Sequence, residues 1–280
     1  DEKTYDLIGK GNTLCVFQFG TSGGTIELCK KIKPKNMEDL AVITTLARPH
    51  AKKVREPFIE TRNGKKKIKF IHKGLERAFT KTLGFPLYEE SLLFLVQDIA
   101  KWDLHKADGL RKMTKDKGKH PEKEKKLRED FIHDAQINGG LAEQMANKIW
   151  DDVIANFSEY SFNKSHAVLY SMTSYLTAYL KANYPLEFLT ANLTFKSDKN
   201  TPKTDEEKVR IRDEIRNLGV KIVPPDINTS EATYKIIDDK TLMTGFDSMK
   251  NMGKDSVPYI ISQRPFSSFD DFLSKVGAKV

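Results

Sequence analysis

Apolar residues recur every three or four positions along much of the chain, which is the spacing of a helix with one buried face. Three such stretches stand out, at about 88–102, 141–153 and 166–183. The third places Leu169, Thr173, Leu176 and Leu180 on one side. Tyr184-Pro185 ends this helix, because proline cannot continue it.

Shorter elements are predicted before the first of these helices. Residues 15–19, with the sequence CVFQF, predict a strand or a buried extended segment, and a glycine-rich turn follows at 21–24. Residues 25–31 predict a helix. Asn36 is placed to cap the next helix, which is expected to run to Ala47.

The last third of the chain has a different composition. Residues 196–204 hold almost no apolar side chain, which makes them the best domain boundary in the sequence. An amphipathic helix is predicted at 205–218, closed by Gly219. Short strands are predicted at 220–223 and 234–237.

The composition is that of a soluble globular protein, with 39% hydrophobic and 31% charged residues among 280. No apolar run reaches the roughly 18–20 residues of a membrane span, and no signal-peptide pattern follows Asp1. The missing initiator methionine predicts a fragment or a processed piece. Cys15 and Cys29 lie among apolar residues and are expected to be buried free thiols in a reducing cytoplasm.

The net charge of +8, with a pI of about 9.2, is unevenly distributed. Residues 48–81 hold twelve Lys or Arg against three acids, and residues 101–128 hold eleven against five. A single run of charge is often only a solvated face. Two basic blocks on an otherwise balanced chain favour a polyanionic partner that presents phosphate groups.

The sequence lacks the usual signals of an active centre. Phosphoryl-transfer enzymes hold metal ions with carboxylates, and Asp-x-Asp on a strand places two of them on one face. This sequence has no Asp-x-Asp, and its paired acids are adjacent and point in different directions. Its six histidines show no metal-ligand spacing, and the sequence contains no Walker A, GxSxG or GxGxxG motif.

The segment SFNKSH at 161–166 is a candidate anion site because it precedes the long helix. Asn163 or Ser165 can cap that helix, and its first free amides then face outward at the positive end of the helix dipole. Lys164 and His166 add side-chain donors at the same place. The same residues also fit an ordinary helix cap without a ligand.

Two further segments are candidates for binding phosphate. In LRKMTK at 110–115, the leucine and the methionine can be buried while the basic side chains project, although an ordinary basic helix end looks the same. In GFDSMKNMG at 245–253 and the apolar residues after it, the pattern predicts a short helix, a tight turn at Gly253 and a second helix. Such a helix-hairpin-helix binds duplex DNA through its phosphates.

Taken in order, these segments resemble the alpha subunit of bacterial DNA polymerase III, a C-family replicative polymerase. The family's VFQFES, RPGP, YQEQ, LRRAMGKK, GFNKSH, YPLEF and IVPPDIN segments have counterparts at 16–21, 48–51, 88–91, 110–119, 161–166, 184–188 and 222–228. The resemblance covers nearly the whole chain. FNKSH followed by IVPPDIN at this distance is highly specific.

The resemblance implies a mainly α fold, in which a multi-helix polymerase fingers domain at 1–195 precedes a linker and helix-hairpin-helix region at 196–280. It implies that the chain binds the incoming deoxynucleoside triphosphate (dNTP), the template strand and duplex DNA during templated synthesis. The residues implied for dNTP binding are Arg48, Arg111, Lys112, Lys115, Lys164, Ser165 and His166. The residues implied for duplex DNA binding are Lys250, Gly253 and Lys254.

The family's three catalytic aspartates belong to its palm domain, and this chain starts after them. The resemblance therefore implies that a palm segment or subunit holds the Mg²⁺ of the complete polymerase. This chain is expected to bind no metal and to be inactive alone. A sliding clamp is a further implied partner, a membrane is not, and the implied location is the cytoplasm of a bacterium or of a phage-infected bacterium.

The sequence also departs from the family's patterns. RPGP has become RPHA at 48–51, the second arginine of LRRAMGKK is Lys112, Glu89 replaces a glutamine, and the GKK step is spread over 115–119. These changes fit a distant member, such as a phage-encoded one. Two other interpretations stay open: a stand-alone DNA-binding protein derived from a polymerase, and a structural scaffold that merely carries charge.

Overall fold

The computed structural model describes residues 1–115, 118–157, 162–197, 201–249, 252–253 and 255–277, without the side chains of His50, Lys115 and Ser197. The chain divides into two compact units, Asp1–Ala178 and Tyr179–Val280. Helices make up most of both units, which confirms the predicted mainly α fold. The domain boundary expected at residue 195 stays a prediction.

The first unit is built from helices that are joined by turns. They are α1 Glu2–Gly9, α2 Gly23–Ile32, α3 Met37–Leu46, α4 Lys52–Arg62, α5 Glu76–Phe79, α6 Glu90–Ala100, α7 Leu104–Lys115, α8 Pro121–Ile137, α9 Glu143–Ile149 and the part of α10 Lys164–Asn183 that precedes residue 179. Short 3₁₀ turns lie at Pro49–Ala51, Lys73–Leu75 and Thr80–Thr82, and a π-helical turn at Trp150–Ile154 extends α9. The helices predicted from periodicity and capping in this region are confirmed.

Two hydrophobic clusters hold the first unit together. One joins α1–α4 to residues 87–88 and to the buried face of α10. The other joins α5–α9, and the face of α6 that periodicity predicts is fully buried there, at Leu92, Leu95, Val96 and Ile99. The spacing of three and four residues therefore gives the correct buried face.

The strand predicted at 15–19 is wrong. Cys15 and Gln18 have φ values of 64° and 61°, which are left-handed and interrupt an extended backbone. The amide of Gly20 donates to the carbonyl of Val16 at 3.0 Å, which closes a turn instead of a ladder. Val16 and Phe19 are both buried and three residues apart, so they reach the same core from a turn.

Helix α10 packs through small side chains and leaves its large ones outside. Ala167, Ser171 and Ala178 are buried, and the Ser171 hydroxyl lies 2.9 Å from that of Thr44 on α3. Small residues allow this close approach. On the opposite side Leu169 and Leu176 are 61% and 57% exposed. The predicted row of leucines is therefore present and faces solvent.

The second unit combines helices with a small sheet. Its elements are α11 Pro185–Ser197, α12 Pro202–Asn217, β1 Lys221–Val223, β2 Lys235–Asp238, β3 Thr241–Met243, a 3₁₀ turn Phe246–Ser248, α13 Ser256–Ser262 and α14 Phe269–Val276. The central strand β3 pairs parallel with β1 and antiparallel with β2. The two predicted strands are confirmed. Periodicity misses β3 because a three-residue strand is too short to show alternation.

A buried ion pair joins the last turn of α10 to α12 within the second unit. The side chain of Lys181 is only 2% exposed, and its Nζ lies 2.7 Å from Oε1 of Glu214. The carboxylate is 29% exposed, so it keeps contact with water. The charged amine of Lys181 is therefore removed from water, and the Glu214 carboxylate offsets part of the cost of that burial.

Among the helices that the structure describes, none is both long and apolar enough to cross a membrane.

The two cysteines differ in accessibility. Cys29 is buried on α2, and burial raises the pKa of its thiol to about 12. Cys15 is partly exposed in the turn before α2. The expectation of two buried thiols is therefore correct for Cys29 only.

This difference predicts selective alkylation. In the folded protein, iodoacetamide at pH 8 should modify Cys15 and leave Cys29 unmodified, because the thiolate is the nucleophile and burial suppresses it. Peptide mass spectrometry over a time course measures both sites. After unfolding in urea the two thiols should react alike, and comparable rates in the folded protein would contradict the prediction.

Candidate functional site

The start of α10 carries the segment FNKSH and is capped by the protein itself. Asn163 is the cap, since its Oδ1 accepts from the amide of His166 at 2.8 Å. The amide of Lys164 donates to both carboxylate oxygens of Glu90 at 3.0 Å. The expectation that the first amides of α10 are free to bind phosphate is therefore wrong for Lys164 and His166, because side chains already accept hydrogen bonds from both amides.

Backbone pairing attaches this segment to the start of α6. The amide of Phe162 donates to the carbonyl of Leu87 at 2.9 Å, and the amide of Glu89 donates to the carbonyl of Phe162 at 3.1 Å. Tyr88 and Phe162 form an isolated parallel bridge. The FNKSH segment is thereby held against the YEES segment, which lies about 70 residues earlier in the chain.

An aromatic and cationic cluster surrounds Phe162. The guanidinium of Arg48 lies 3.4 Å from the centroid of the Phe162 ring, and the His166 ring meets Phe162 edge-on at 5.2 Å. His166 also stacks on Tyr170 at 4.2 Å. Partial burial lowers the pKa of Arg48, which an arginine tolerates without losing its charge. The cluster therefore presents a fixed positive charge beside a histidine.

Arg111 lies on α7 between two carboxylates. Its Nε donates to Oδ1 of Asp108 at 2.8 Å, and its Nη1 donates to Oε2 of Glu89 at 3.3 Å. The hydrogen bonds with Asp108 raise the pKa of Arg111. Lys112 and Arg111 in turn lower the pKa of the Asp108 carboxyl. The guanidinium is therefore oriented, and 21% of the side chain stays exposed.

Glu89 connects the two groups of residues. Its Oε1 accepts from Nδ2 of Asn163 at 3.0 Å while its Oε2 accepts from Arg111, and only 7% of its side chain is exposed. A buried carboxylate is stable only when donors satisfy it. Here the donors come from α7 and from the start of α10. Glu89 thus links Arg111 to the FNKSH segment through two hydrogen bonds.

The structure brings several of the residues expected to bind dNTP around one segment, 162–166. Arg48 and His166 contact Phe162, Arg111 reaches Asn163 through Glu89, and Nζ of Lys164 lies 5.6 Å from the centroid of the Tyr88 ring. Ser165 and Lys112 are exposed beside them. The assignment of these residues to dNTP stays a prediction.

The structure describes the remaining expected site residues only in part. The side chain of Lys115, and Lys250 and Lys254 as a whole, lie outside the described residues. Gly253 precedes α13, and its carbonyl accepts from the amide of Ser256 at 3.1 Å. The first half of the expected hairpin forms as the 3₁₀ turn at 246–248 rather than as a full helical turn.

Sequence reasoning did not identify the roles of Glu89, Glu90 and Asp108. Glu89 is noted in the sequence as a departure from the family's glutamine, and no pattern assigns it a partner. A signal was present, because two adjacent acids open an apolar helix immediately after Tyr88. The helix dipole stabilises acids at a helix start, so this local effect was enough to account for both acids without a distant partner.

The described residues do not form a metal site. No group of three or more His, Cys, Asp or Glu side chains converges on one point among them. Arg111 engages Glu89 and Asp108, and the amide of Lys164 engages Glu90. These residues therefore do not fit Mg²⁺.

The bridge through Glu89 predicts a stability difference between two substitutions. Glu89→Ala should lower the free energy of unfolding by about 2–3 kcal/mol, because Arg111 and Asn163 lose a shared buried acceptor. Glu89→Gln should lose less than half of that, because an amide oxygen still accepts one bond. Urea unfolding followed by circular dichroism measures both. Glu56→Ala removes an exposed pair with Lys31 and is the control; an equal loss there would contradict the bridge.

Comparisons with known proteins agree with this structure. The family model described as the bacterial DNA polymerase III alpha subunit finger domain matches residues 1–139, and a helix-hairpin-helix motif matches residues 219–280. The predicted hairpin region is thereby confirmed.

Curated relatives match over the whole length of the chain. The DNA polymerase III subunit alpha of Borreliella burgdorferi is 36% identical over 285 residues, which is 100% of this chain and 24% of that protein. The Thermus aquaticus subunit is 34% identical over 292 residues, with 100% and 23% coverage, and the Mycobacterium tuberculosis subunit is 34% identical over 288 residues, with 99% and 23%. The chain spans about a quarter of the length of these relatives, and it belongs to the bacterial DNA polymerase III alpha subunit family.

Proposed function

We propose that this chain is the nucleotide-facing fingers segment of a DNA polymerase III alpha subunit, where it binds the incoming dNTP and DNA during templated synthesis. The observation that carries the proposal is the convergence of two distant basic segments on residues 162–166. Arg48 reaches this segment directly, and Arg111 reaches it through Glu89. A triphosphate requires several positive groups within one small region.

Arg48 is the residue best placed to contact a phosphate. Its side chain is exposed, and among the described residues it stacks on the Phe162 ring rather than pairing with a carboxylate. Stacking fixes the plane of the guanidinium while its N–H groups stay available for a second partner. His166 and Lys164 add donors on the same turn of α10.

Arg111 supplies an oriented rather than a mobile charge. Its contacts with Asp108 and Glu89 use Nε, Nη1 and Nη2, and a guanidinium carries five N–H donors. The exposed edge can therefore donate to a phosphate oxygen while the carboxylates hold the rest. Positioning before binding lowers the entropy cost of that contact.

The proposal assigns the metal to another part of the polymerase. Phosphoryl transfer uses Mg²⁺ held by carboxylates, and the residues of this cluster do not fit the ion. A palm segment or subunit is the proposed holder. The helix-hairpin-helix match at 219–280 supports binding of duplex DNA through phosphates. A sliding clamp and a place in the bacterial cytoplasm complete the proposal.

The nucleotide assignment predicts a selective loss. Arg48→Ala and Arg111→Ala should each weaken dNTP binding about ten- to a hundredfold, the effect of one charge-assisted contact of about 1.5–3 kcal/mol. Primer–template binding should change far less. Arg111→Lys should recover only part, since an ammonium lacks the planar fork. Isothermal titration with dNTP and fluorescence anisotropy with labelled DNA measure the two affinities.

A matched control is available on α5. Arg77 also pairs with an acid, Asp98, and also lies over an aromatic ring, that of Phe94. Arg77→Ala should leave dNTP affinity unchanged. If DNA binding fell with Arg48→Ala and Arg111→Ala while dNTP binding did not, the cluster would be a DNA-backbone site and the triphosphate assignment would be wrong.

The proposal also predicts that the 280-residue chain does not extend a primer by itself. Its sequence has no Asp-x-Asp pair and its adjacent acid pairs point in different directions, so it lacks the expected arrangement of carboxylate ligands. A primer-extension gel with Mg²⁺ and all four dNTPs tests this, with a complete alpha subunit as the positive control. Extension by the purified chain would refute the assignment of the catalytic metal to a separate palm segment or subunit.

A further inference from the structure

The segment between α4 and the 3₁₀ turn at Lys73–Leu75 is a second concentration of positive charge. Lys65, Lys66, Lys67 and Lys69 are all exposed there, and Lys73 follows at the turn. None of these lysines takes part in the contacts around residues 162–166. We call residues 65–73 the lysine loop.

Other basic residues of the same block are already occupied by the fold. Arg55 donates to the carbonyl of Leu46 at the end of α3, and Arg62 pairs with Asp39 at 2.8 Å. Lys81 pairs with Glu38 at 3.1 Å. These charges serve helix ends and surface pairs, so they are not available to a ligand in the same way.

Among the described residues, three charges of the lysine loop lack such partners. Lys66 pairs with Glu60 at 2.6 Å, and Lys65 is near enough to help lower the pKa of that carboxyl. In the described part of the chain, no carboxylate lies within ion-pair distance of Lys67, Lys69 or Lys73. Three of the block's unneutralised charges therefore lie in this loop.

The loop is anchored by its apolar residues. Phe70 is half-buried and packs against the cluster formed by α5–α9. Ile68 and Phe70 lie over Gly84, where an added Cβ would meet the Ile68 side chain at 3.4 Å. Gly84 has a φ of 92°, which favours glycine. The lysines are therefore presented from a fixed backbone rather than from a free tail.

A cavity of about 420 Å³ opens beside the loop. Lys69, Phe70 and Ile71 line it from the loop side, and Phe79 adds to its apolar wall. Asp152 and Asn156 supply polar groups. The volume lies within the range of roughly 300–1,000 Å³ that small-molecule sites occupy. Its lining combines an aromatic face, an amide, one cation and one carboxylate.

We propose that the lysine loop and this cavity bind single-stranded DNA, with the lysines on phosphates and an unpaired base in the cavity. Proteins that hold single strands combine a positive track with aromatic or apolar surfaces for bases. A duplex cannot use the cavity, because its bases are paired and stacked. The proposal rests on the proposed function only in treating the chain as a DNA-binding one, and it uses different residues.

The charge component is tested with two matched triple variants of the 280-residue chain. Lys67→Ala, Lys69→Ala and Lys73→Ala together should weaken binding of labelled oligo(dT). They should also flatten the plot of log affinity against log salt by about two units, because each phosphate contact to a single strand contributes about 0.7. Lys123→Ala, Lys125→Ala and Lys126→Ala remove the same charge from exposed positions on α8 and should change the slope little.

The cavity component is tested with an abasic oligonucleotide of the same length, which keeps the phosphates and lacks the bases. The unmodified chain should bind oligo(dT) about tenfold more tightly than the abasic strand, as one stacked base contributes. Ile71→Ser should narrow that ratio without changing the salt slope. Ile137→Ser replaces an exposed isoleucine at the end of α8 and should leave the ratio unchanged.

Several results would overturn the proposal. Equal changes of the salt slope in both triple variants would show that the effect depends on net charge alone. Equal affinity for abasic and base-carrying strands would show that no base binds in the cavity. An equal loss of duplex and of oligo(dT) affinity in the Lys67, Lys69 and Lys73 triple variant, or no binding of oligo(dT) by the unmodified chain, would also refute it. Titration of dNTP in parallel separates the two sites, since the Lys67, Lys69 and Lys73 triple variant should keep the dNTP affinity of the unmodified chain.

Discussion

A buried carboxylate that must find donors organises the first unit. Glu89 is almost completely removed from water, and this is tolerable because Asn163 and Arg111 both donate to it. Its neighbour Glu90 accepts a hydrogen bond from the amide of Lys164. Two adjacent acids at one helix start therefore fix the position of two other helices. The cationic cluster around Phe162 exists in its present form because α10 begins where these acids place it.

The sequence shows which parts of this arrangement are locally encoded. Asn36 caps α3, with its Oδ1 2.9 Å from the amide of Asp39, because a cap and its helix lie within a few residues of each other. The turn at 15–20 could not be found in this way, since cysteine and glutamine are not residue types that signal the left-handed φ that Cys15 and Gln18 adopt. The capping of Lys164 by Glu90 is equally remote, because these residues are 74 positions apart.

Charge illustrates the same limit. From the sequence, the block at 48–81 is one basic run, whereas the structure separates it into charges with different tasks. Arg55 satisfies a helix carbonyl, Arg48 stacks on an aromatic ring, and Lys67 projects into solvent. Net charge predicts the kind of partner, and only the distribution of neutralising acids predicts where the partner meets the chain.

The ion pair between Lys181 and Glu214 has an evolutionary consequence. Lys181 is buried, so losing Glu214 first would remove an anionic partner from an amine that is held out of water. Glu214 is partly exposed, so losing Lys181 first would leave a carboxylate that can turn towards water. The order of substitution at these two positions therefore matters. A neutral residue at 181 beside glutamate at 214 is the milder intermediate, and the reverse combination is the costlier one.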